Sequence, residues 1–190
     1  SSLTDIQSGL SASASQIAWV QTAYLIAEVI MIPLSGFLAR LLSTKKLFLI
    51  CAVGFTVSSV ACAFAWSLES LIFLRVLQGF IGGGMIPSVF ASIYVIFPKE
   101  RQAIANVTVG LIVTLAPAVG PTLGGYITEA LSWHWLFLIN LIPGILVITF
   151  VSNMPSFDKA DPSLKKGFDL TGLILMALFL SRHPEPEPQP

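Results

Sequence analysis

Two ionisable side chains interrupt apolar runs of this sequence, and they are the first candidates for chemistry. Glu28 lies in the run over residues 17–39, and Arg75 lies near the start of the run over residues 71–97. In the middle of a membrane-spanning helix such a group costs about 2.5–3.5 kcal/mol on insertion scales, so it faces a bundle interior or a cavity. Arginine keeps its charge at physiological pH, which favours Arg75 as a fixed positive charge. The alternative is a structural contact with a helix end, or a side chain that extends outwards to the headgroups.

Other polar residues share helix faces with these two. At about 100° per residue, Arg75 and Gln78 fall on one face of a helix, together with Gly79. In the first run, four polar residues lie within roughly 60° of one another: Gln21, Tyr24, Glu28 and Ser35. Two interpretations stay open for these stripes: a water-accessible pathway that the residues line, or polar contacts that hold helices together.

The run over residues 104–128 carries small residues and two prolines. Gly120 and Gly124 are four residues apart, a spacing that permits close approach of a second helix. Pro117 and Pro121 each remove a backbone donor and bend a helix. The pattern is equally typical of a hinge or gate and of a kinked helix with a packing role only.

These candidates must be positioned by membrane-spanning helices. Of the 190 residues, 55% are apolar and only 11% are charged, and the net charge is zero. That balance argues against a soluble enzyme, a disordered chain and a nucleic-acid-binding protein. Four charge-free segments (47–68, 76–98, 102–128 and 130–157) are each long enough to cross a hydrocarbon core once. None alternates with a period of two, so the sequence predicts an all-α polytopic transmembrane bundle rather than a β-barrel.

The predicted bundle occupies residues 1–151, and a cytoplasmic connection follows over 152–168. The five predicted spans are about 17–39, 47–67, 71–97, 104–128 and 135–151. Residues 169–180 form an apolar segment too short to span, and we expect it to be the start of a further helix. The Pro/Glu tail at 181–190 is expected to be extended, and both a native and a non-native origin stay open for it. Both ends of the chain are expected to be cuts through a longer protein.

Basic residues predict the orientation of these spans. Eight of the ten lie in alternate connections: Arg40, Lys45, Lys46, Lys99, Arg101, Lys159, Lys165 and Lys166. The positive-inside rule then predicts that the loops at 40–46, 98–102 and 152–168 are cytoplasmic. All four tryptophans fall at the opposite ends of the spans, where their rings are expected to anchor at headgroup depth.

Motifs for other chemistry are not found in the sequence. It contains no phosphate-binding loop with a Gly-Lys-Ser/Thr ending, and the connections hold no metal-ligand or nucleophile constellation. Cys51 and Cys62 are separated by about 16 Å of helical rise, too far for a disulfide between them. We therefore expect neither an enzyme, nor a metal site, nor a cofactor.

Several stretches resemble the major facilitator superfamily, and within it the fourteen-helix drug:proton antiporter branch. The stretch over residues 36–46, with Gly36, Arg40, Lys45 and Lys46, resembles the superfamily's cytoplasmic loop between helices two and three. Residues 74–79 resemble its helix-four motif, and residues 116–125 resemble the helix-five signature of exporters, which includes Gly125. Residues 133–140 and 168–172 resemble stretches typical of the fourteen-helix branch.

The resemblance implies helices two to six of an N-terminal half, plus the start of helix seven. It implies a multi-pass protein of the cell membrane that exports amphipathic, toxic organic compounds in exchange for protons, by alternating access. Its expected partners are the lipid bilayer, protons, a small amphipathic organic substrate and a periplasmic adaptor protein, without nucleic acid. The family arginine implicated in proton coupling corresponds to Arg75. The acidic residue and the glycine usual in the cytoplasmic loop are Arg40 and Ser43 here, so a charge lock of the family type is not expected at that loop.

Two other classes of function stay open. An uptake carrier of the same fold would share the topology but normally lacks the helix-five exporter stretch. A truncated membrane fragment without transport activity also fits the ends of this chain.

Overall fold

The computed structural model of the chain describes residues 13–167 together with residues 172 and 175. Its helices are α1 (Ala14–Leu42), α2 (Thr44–Ala63), α3 (Leu68–Gly82), α4 (Met85–Ile96), α5 (Lys99–Ala130), α6 (Trp135–Leu138) and α7 (Leu141–Asn153), with a 3-10 helix at Pro162–Gly167. No strand occurs in this described part, and the all-α prediction is confirmed. The predicted segment at 169–180, apart from residues 172 and 175, and the tail at 181–190 lie outside the described residues.

Five helical stretches are long and apolar enough to cross a membrane. They are Gln16–Leu42, Thr44–Ala63, Leu68–Ile96, Lys99–Ala130 and Trp135–Asn153, and they contain 19 to 32 residues each. A helix rises about 1.5 Å per residue, so even the shortest stretch is close to the thickness of a hydrocarbon core.

Several helices extend beyond the ends of the predicted spans. α1 continues to Leu42 and α2 begins at Thr44, so that Ser43, with a φ of 82°, is the whole connection between them. The prediction that residues 40–46 form a loop is therefore wrong, because Arg40, Lys45 and Lys46 lie on helix ends. The same holds for 98–102, because α5 already begins at Lys99. A charged side chain marks where apolar composition ends, but the backbone hydrogen bonds of a helix continue past that point.

Two of the five stretches consist of two helices each. The stretch from Leu68 to Ile96 is interrupted at Gly83 and Gly84, where two successive glycines weaken the helix. The stretch from Trp135 to Asn153 is interrupted next to Asn140, whose side chain is bonded to α2. Neither interruption is visible in the spacing of charges.

The core lies where α1, α2, α3 and α6 meet. One buried cluster joins these helices at the end predicted to be outside: Ile17, Val20, Cys62, Ala63, Ala65, Leu68, Leu71, Trp133 and Phe137. A smaller cluster of Met31, Leu47 and Cys51 joins α1 to α2 nearer the other end. α5 lies at the edge of the described bundle and packs mainly on α4 and α6. The core therefore surrounds the ends of α1 and α3 that carry the candidate polar residues.

Trp133 differs from the other tryptophans. Trp19, Trp66 and Trp135 are about half exposed or more, but only 7% of Trp133 is accessible. Its ring stacks on His134 with centroids 3.8 Å apart and meets the Phe137 ring edge-on. The prediction of a headgroup anchor is wrong for Trp133, because this ring completes the core cluster.

Candidate functional site

The Arg75 guanidinium lies in the contact between α3 and α1 and donates hydrogen bonds to both helices. Its Nε donates to the Val20 carbonyl at 3.3 Å, and its Nη2 donates to Gln21 Oε1, also at 3.3 Å. Its Nη1 donates to Gln78 Oε1 at 2.7 Å, one turn further along α3. The guanidinium is thus held by neutral oxygens, and it retains its charge inside the bundle.

Two aromatic rings add to this environment. The Arg75 Cζ atom lies 4.0 Å from the centroid of the Tyr24 ring and 5.9 Å from that of Phe137. Both distances are within the range of about 6 Å over which a cation is attracted to an aromatic face. Phe137 belongs to α6, so three helices contribute to the surroundings of one cation.

Two glycines bring α3 close enough to α1 for these contacts. A Cβ atom added to Gly79 would collide with the carbonyl of Tyr24, and one added to Gly83 would lie 2.7 Å from the carbonyl oxygen of Glu28. The two glycines are four residues apart and face the same neighbour, as in the small-residue contacts of membrane helices. Gly79 lies one turn after Arg75, so the close approach is next to the guanidinium.

Gln78 connects the site to α2. Its side chain is 1% exposed, and its Oε1 accepts from Arg75 and also from the Cys62 thiol at 3.9 Å. The amide oxygen therefore has partners on both sides, as a buried polar group requires. Cys62 and Cys51 are both free thiols.

Glu28 stands apart from the cluster that surrounds Arg75. Its side chain is half-buried one turn beyond Tyr24, and among the described residues its carboxylate makes neither a hydrogen bond nor an ion pair. The charges of Glu28 and Arg75 influence each other without contact. The structure thus brings together Arg75, Gln21, Tyr24 and Gln78, whereas Glu28 lies next to them without a partner in the described part of the chain.

Ser35, the last member of the stripe on α1, lies at a different site. It is 1% exposed, and its hydroxyl donates to the Ile32 carbonyl of its own helix at 2.6 Å. The Ser35 side chain packs near Gly84, at the start of α4. The predicted stripe is therefore divided between two locations.

The exporter-type stretch on α5 is not packed within the described residues. Pro117, Gly120 and Pro121 are exposed, and a Cβ atom on Gly120 or Gly125 would have nothing within 4 Å. The close approach predicted at Gly120 therefore has no partner in the part of the chain that the structure describes. A gate-side role of this stretch, including Gly124, stays a prediction.

The basic residues at the end of α1 and the start of α2 fall into two groups. Lys45 donates through Nζ to the carbonyls of Ser152, at 3.0 Å, and of Met154, beyond the end of α7. Arg40 and Lys46 are exposed, and a Cβ atom on Gly36 would have nothing within 4 Å. Only Lys45 reaches the end of the fifth spanning stretch.

A second polar contact inside the bundle was not predicted. Ser59 on α2 is 0% exposed; its Oγ donates to the Phe137 carbonyl at 3.0 Å and accepts from Asn140 Nδ2 at 3.0 Å. Close by, a Cβ atom on Gly144 would collide with Thr56. The sequence does show that Ser59 and Asn140 are polar residues inside apolar runs, but it does not show that their side chains contact each other.

No group of three or more His, Cys, Asp and Glu side chains lies together among residues 13–167.

The fold and this site define a multi-pass helical membrane protein with a partly buried guanidinium between two of its helices. The sequence matches the profile of the Major Facilitator Superfamily over residues 1–187, and the chain belongs to that family.

Several curated relatives are similar to most of the chain. The colistin resistance protein EmrB of Acinetobacter baumannii is 51% identical over 180 residues, which are 95% of this chain and 35% of the relative. The multidrug export protein EmrB of Escherichia coli K12 is 38% identical over 91% of this chain and 34% of its own length. The fatty acid resistance protein FarB of Neisseria gonorrhoeae is 38% identical over 90% of this chain and 34% of its own length. The chain thus spans about a third of the length of these relatives.

Proposed function

We propose that this chain is part of a secondary active transporter of the cell membrane that exports amphipathic organic compounds in exchange for protons. The observation that carries the proposal is the Arg75 guanidinium, held between α1 and α3 in a chain of the Major Facilitator Superfamily. An arginine inside a membrane bundle is costly, and such residues mark substrate or ion pathways. The names of the relatives refer to drug export and to resistance, which favours export over uptake.

In this proposal Arg75 is a fixed charge and Glu28 is the group that exchanges protons. Glu28 has no hydrogen-bond or ion-pair partner among the described residues, so protonation and deprotonation break no contact there. Each proton taken up removes a negative charge that interacts with Arg75. Because α1 and α3 carry the two groups, the electrostatic energy of their contact then depends on the proton load. That dependence is what coupling to alternating access requires.

The orientation completes the proposal. The helix ends that carry Lys45 and Lys99 face the cytoplasm, and so does the connection that carries Lys159, following the positive-inside rule. Gln21, Tyr24 and Gln78 line the pathway with Arg75, and the stretch from Pro117 to Gly125 on α5 faces the second helix bundle. A periplasmic adaptor protein receives the exported compound.

Transport by the full-length protein in inverted membrane vesicles tests this function. Substrate uptake should require an imposed pH gradient and stop when a protonophore collapses it. Uptake that survives the collapse would overturn proton antiport, and equal counterflow in both directions would favour a facilitative carrier.

Three variants test the assignment to Arg75. Arg75→Ala should abolish coupled uptake while the protein still inserts, because the Glu28 carboxylate then has no fixed positive charge with which to interact across the α1–α3 contact. Arg75→Lys keeps the charge but cannot make all three hydrogen bonds in the same geometry, so it should retain partial activity. Arg101→Ala is the matched control: Arg101 is exposed in the first turn of α5 and should be dispensable. Full coupled transport by Arg75→Ala would remove Arg75 from the mechanism.

A further inference from the structure

The connection after α7 is bonded to the junction of α1 and α2. Asp158 Oδ2 accepts a hydrogen bond from the backbone N–H of Thr44 at 2.5 Å, and Thr44 is the first residue of α2. The first N–H groups of a helix have no partner within the helix, and a negative charge near them is stabilising. Asp158, which lies 114 residues further along the chain, thus accepts a hydrogen bond at the N-terminus of α2.

Two further contacts fix the same connection. Lys45 donates through Nζ to the last carbonyls of the α7 region, at Ser152 and Met154, where a positive charge complements the helix C-terminus. The backbone N–H of Asp161 donates to the Arg40 carbonyl at 2.9 Å. The 3-10 helix that follows, Pro162–Gly167, packs on α1. Together these contacts attach the connection at both of its ends.

The hydrogen bond from Thr44 to Asp158 can also break at a low cost in free energy. Its second carboxylate oxygen, Oδ1, is buried and has no hydrogen-bond partner among the described residues. Removing Oδ1 from water without a hydrogen-bond partner costs free energy, and this cost offsets part of the free energy gained from the charge-assisted hydrogen bond of Oδ2. The balance of the two effects leaves Asp158 able to release Thr44 at a modest cost.

We propose that Asp158 is a positioning residue for transport. Together with Lys45 it holds the connection over residues 152–167 against the α1–α2 junction, and we call these contacts the clasp. The inference rests on the proposed function and on the expectation that this connection leads from the first helix bundle to helix seven of the whole transporter. Asp158 supplies a carboxylate to that junction from a different part of the chain.

The clasp sets the length of free chain that follows the first bundle. With Asp158, Lys45 and Asp161 bonded, the connection has little slack before residue 167. Each doubling of a flexible connection lowers the probability that its ends meet by about threefold. Opening the clasp adds the residues between α7 and residue 167 to the free chain, so we expect the maximal transport rate to fall, by about threefold for each doubling of the free chain that results. The KM for substrate should stay the same, because no clasp residue belongs to the Arg75 site.

Limited trypsin digestion of the full-length protein in mild detergent tests the clasp without any transport. The measured quantity is the rate of cleavage after Lys159, divided by the rate in the denatured protein to remove effects of the neighbouring sequence. Asp158→Asn and Lys45→Gln should each raise this ratio at least about fivefold, since proteolysis follows the population of the open form. Lys46→Gln is the matched control, because Lys46 is exposed beside Lys45, and it should leave the ratio within twofold. Equal ratios in wild type, Asp158→Asn and Lys45→Gln would overturn the clasp.

Transport kinetics then test the role in positioning. Asp158→Asn should lower the maximal rate with an unchanged KM, and Asp158→Glu, which restores the carboxylate, should recover most of that rate. A raised cleavage ratio with an unchanged maximal rate would overturn the positioning role. If wild type itself shows no pH-driven export, the proposed function fails, whereas the digestion result still decides the clasp.

Discussion

The close contact between α1 and α3 can be tested by placing one methyl group in it. In Gly79→Ala the new Cβ would collide with the Tyr24 carbonyl oxygen and would lie 3.1 Å from the Tyr24 carbonyl carbon and 3.2 Å from its Cα. All three atoms belong to the backbone of α1, so no side-chain rotation can relieve the overlap. The two helices must separate, and the Val20 carbonyl must move away from Arg75.

Two opposing effects set the expected magnitude. Overpacking of a well-packed contact costs about 1–3 kcal/mol, and an overlap with backbone atoms belongs in the upper part of that range. Replacing glycine by alanine inside a helix returns roughly 1 kcal/mol of helix propensity. We therefore expect Gly79→Ala to lower the free energy of unfolding by about 1–2 kcal/mol.

Gly36→Ala is the matched control, because Gly36 also lies inside a helix but, among the described residues, has nothing within 4 Å of an added Cβ. It gains the same propensity without the overlap, so it should be stabilising by roughly 1 kcal/mol. The difference between the two variants isolates the overpacking cost, at about 2–3 kcal/mol. Unfolding in mixed micelles, followed by tryptophan fluorescence, measures both variants under the same conditions.

Two alanine variants within about 0.5 kcal/mol of each other would refute the reasoning, because such a difference is below the cost of overpacking. The backbone of α1 would then not lie against Gly79 in the membrane. A loss of stability in Gly79→Ala together with unimpaired proton coupling would separate the helix contact from the function of Arg75.

Two further predictions concern the packing of α2 and the orientation of the chain. Ser59→Ala should cost about 1–3 kcal/mol, because it leaves the side-chain amide of Asn140 without the Ser59 acceptor and removes one of the two hydrogen bonds to the Phe137 carbonyl. Ser58→Ala, which loses only bonds within its own helix, should cost less than about 0.5 kcal/mol. Thermal unfolding in detergent compares the two, and equal shifts would contradict the role of Ser59. Accessible tags placed near Lys45 and near Glu69 should be labelled from opposite faces of sealed vesicles, and labelling from one face would contradict the predicted topology.

The sequence by itself determined the class of the protein and most of its helical stretches. Twenty charged residues among 190 leave segments of apolar residues long enough to span, and this property depends only on composition along the chain. The sequence also singled out Arg75 as a charge inside an apolar run and placed Gln78 on the same helix face, because helical periodicity is local; in the structure Arg75 is partly buried. It misplaced the helix ends near Arg40 and Lys99, since the backbone remains helical beyond the last apolar residue.

Only the tertiary structure decided which helix faces meet. The contact of Arg75 with Gln21 and Tyr24 depends on the register of α3 against α1, which Gly79 and Gly83 fix by the absence of their side chains. In the same way, Asp158 reaches Thr44 across 114 residues of sequence. Periodicity within a helix relates residues only a few positions apart, whereas the pairing of two helices depends on the packing of atoms that are remote in the chain. For that reason the polar residues of this site were visible in the sequence, but their partners were not.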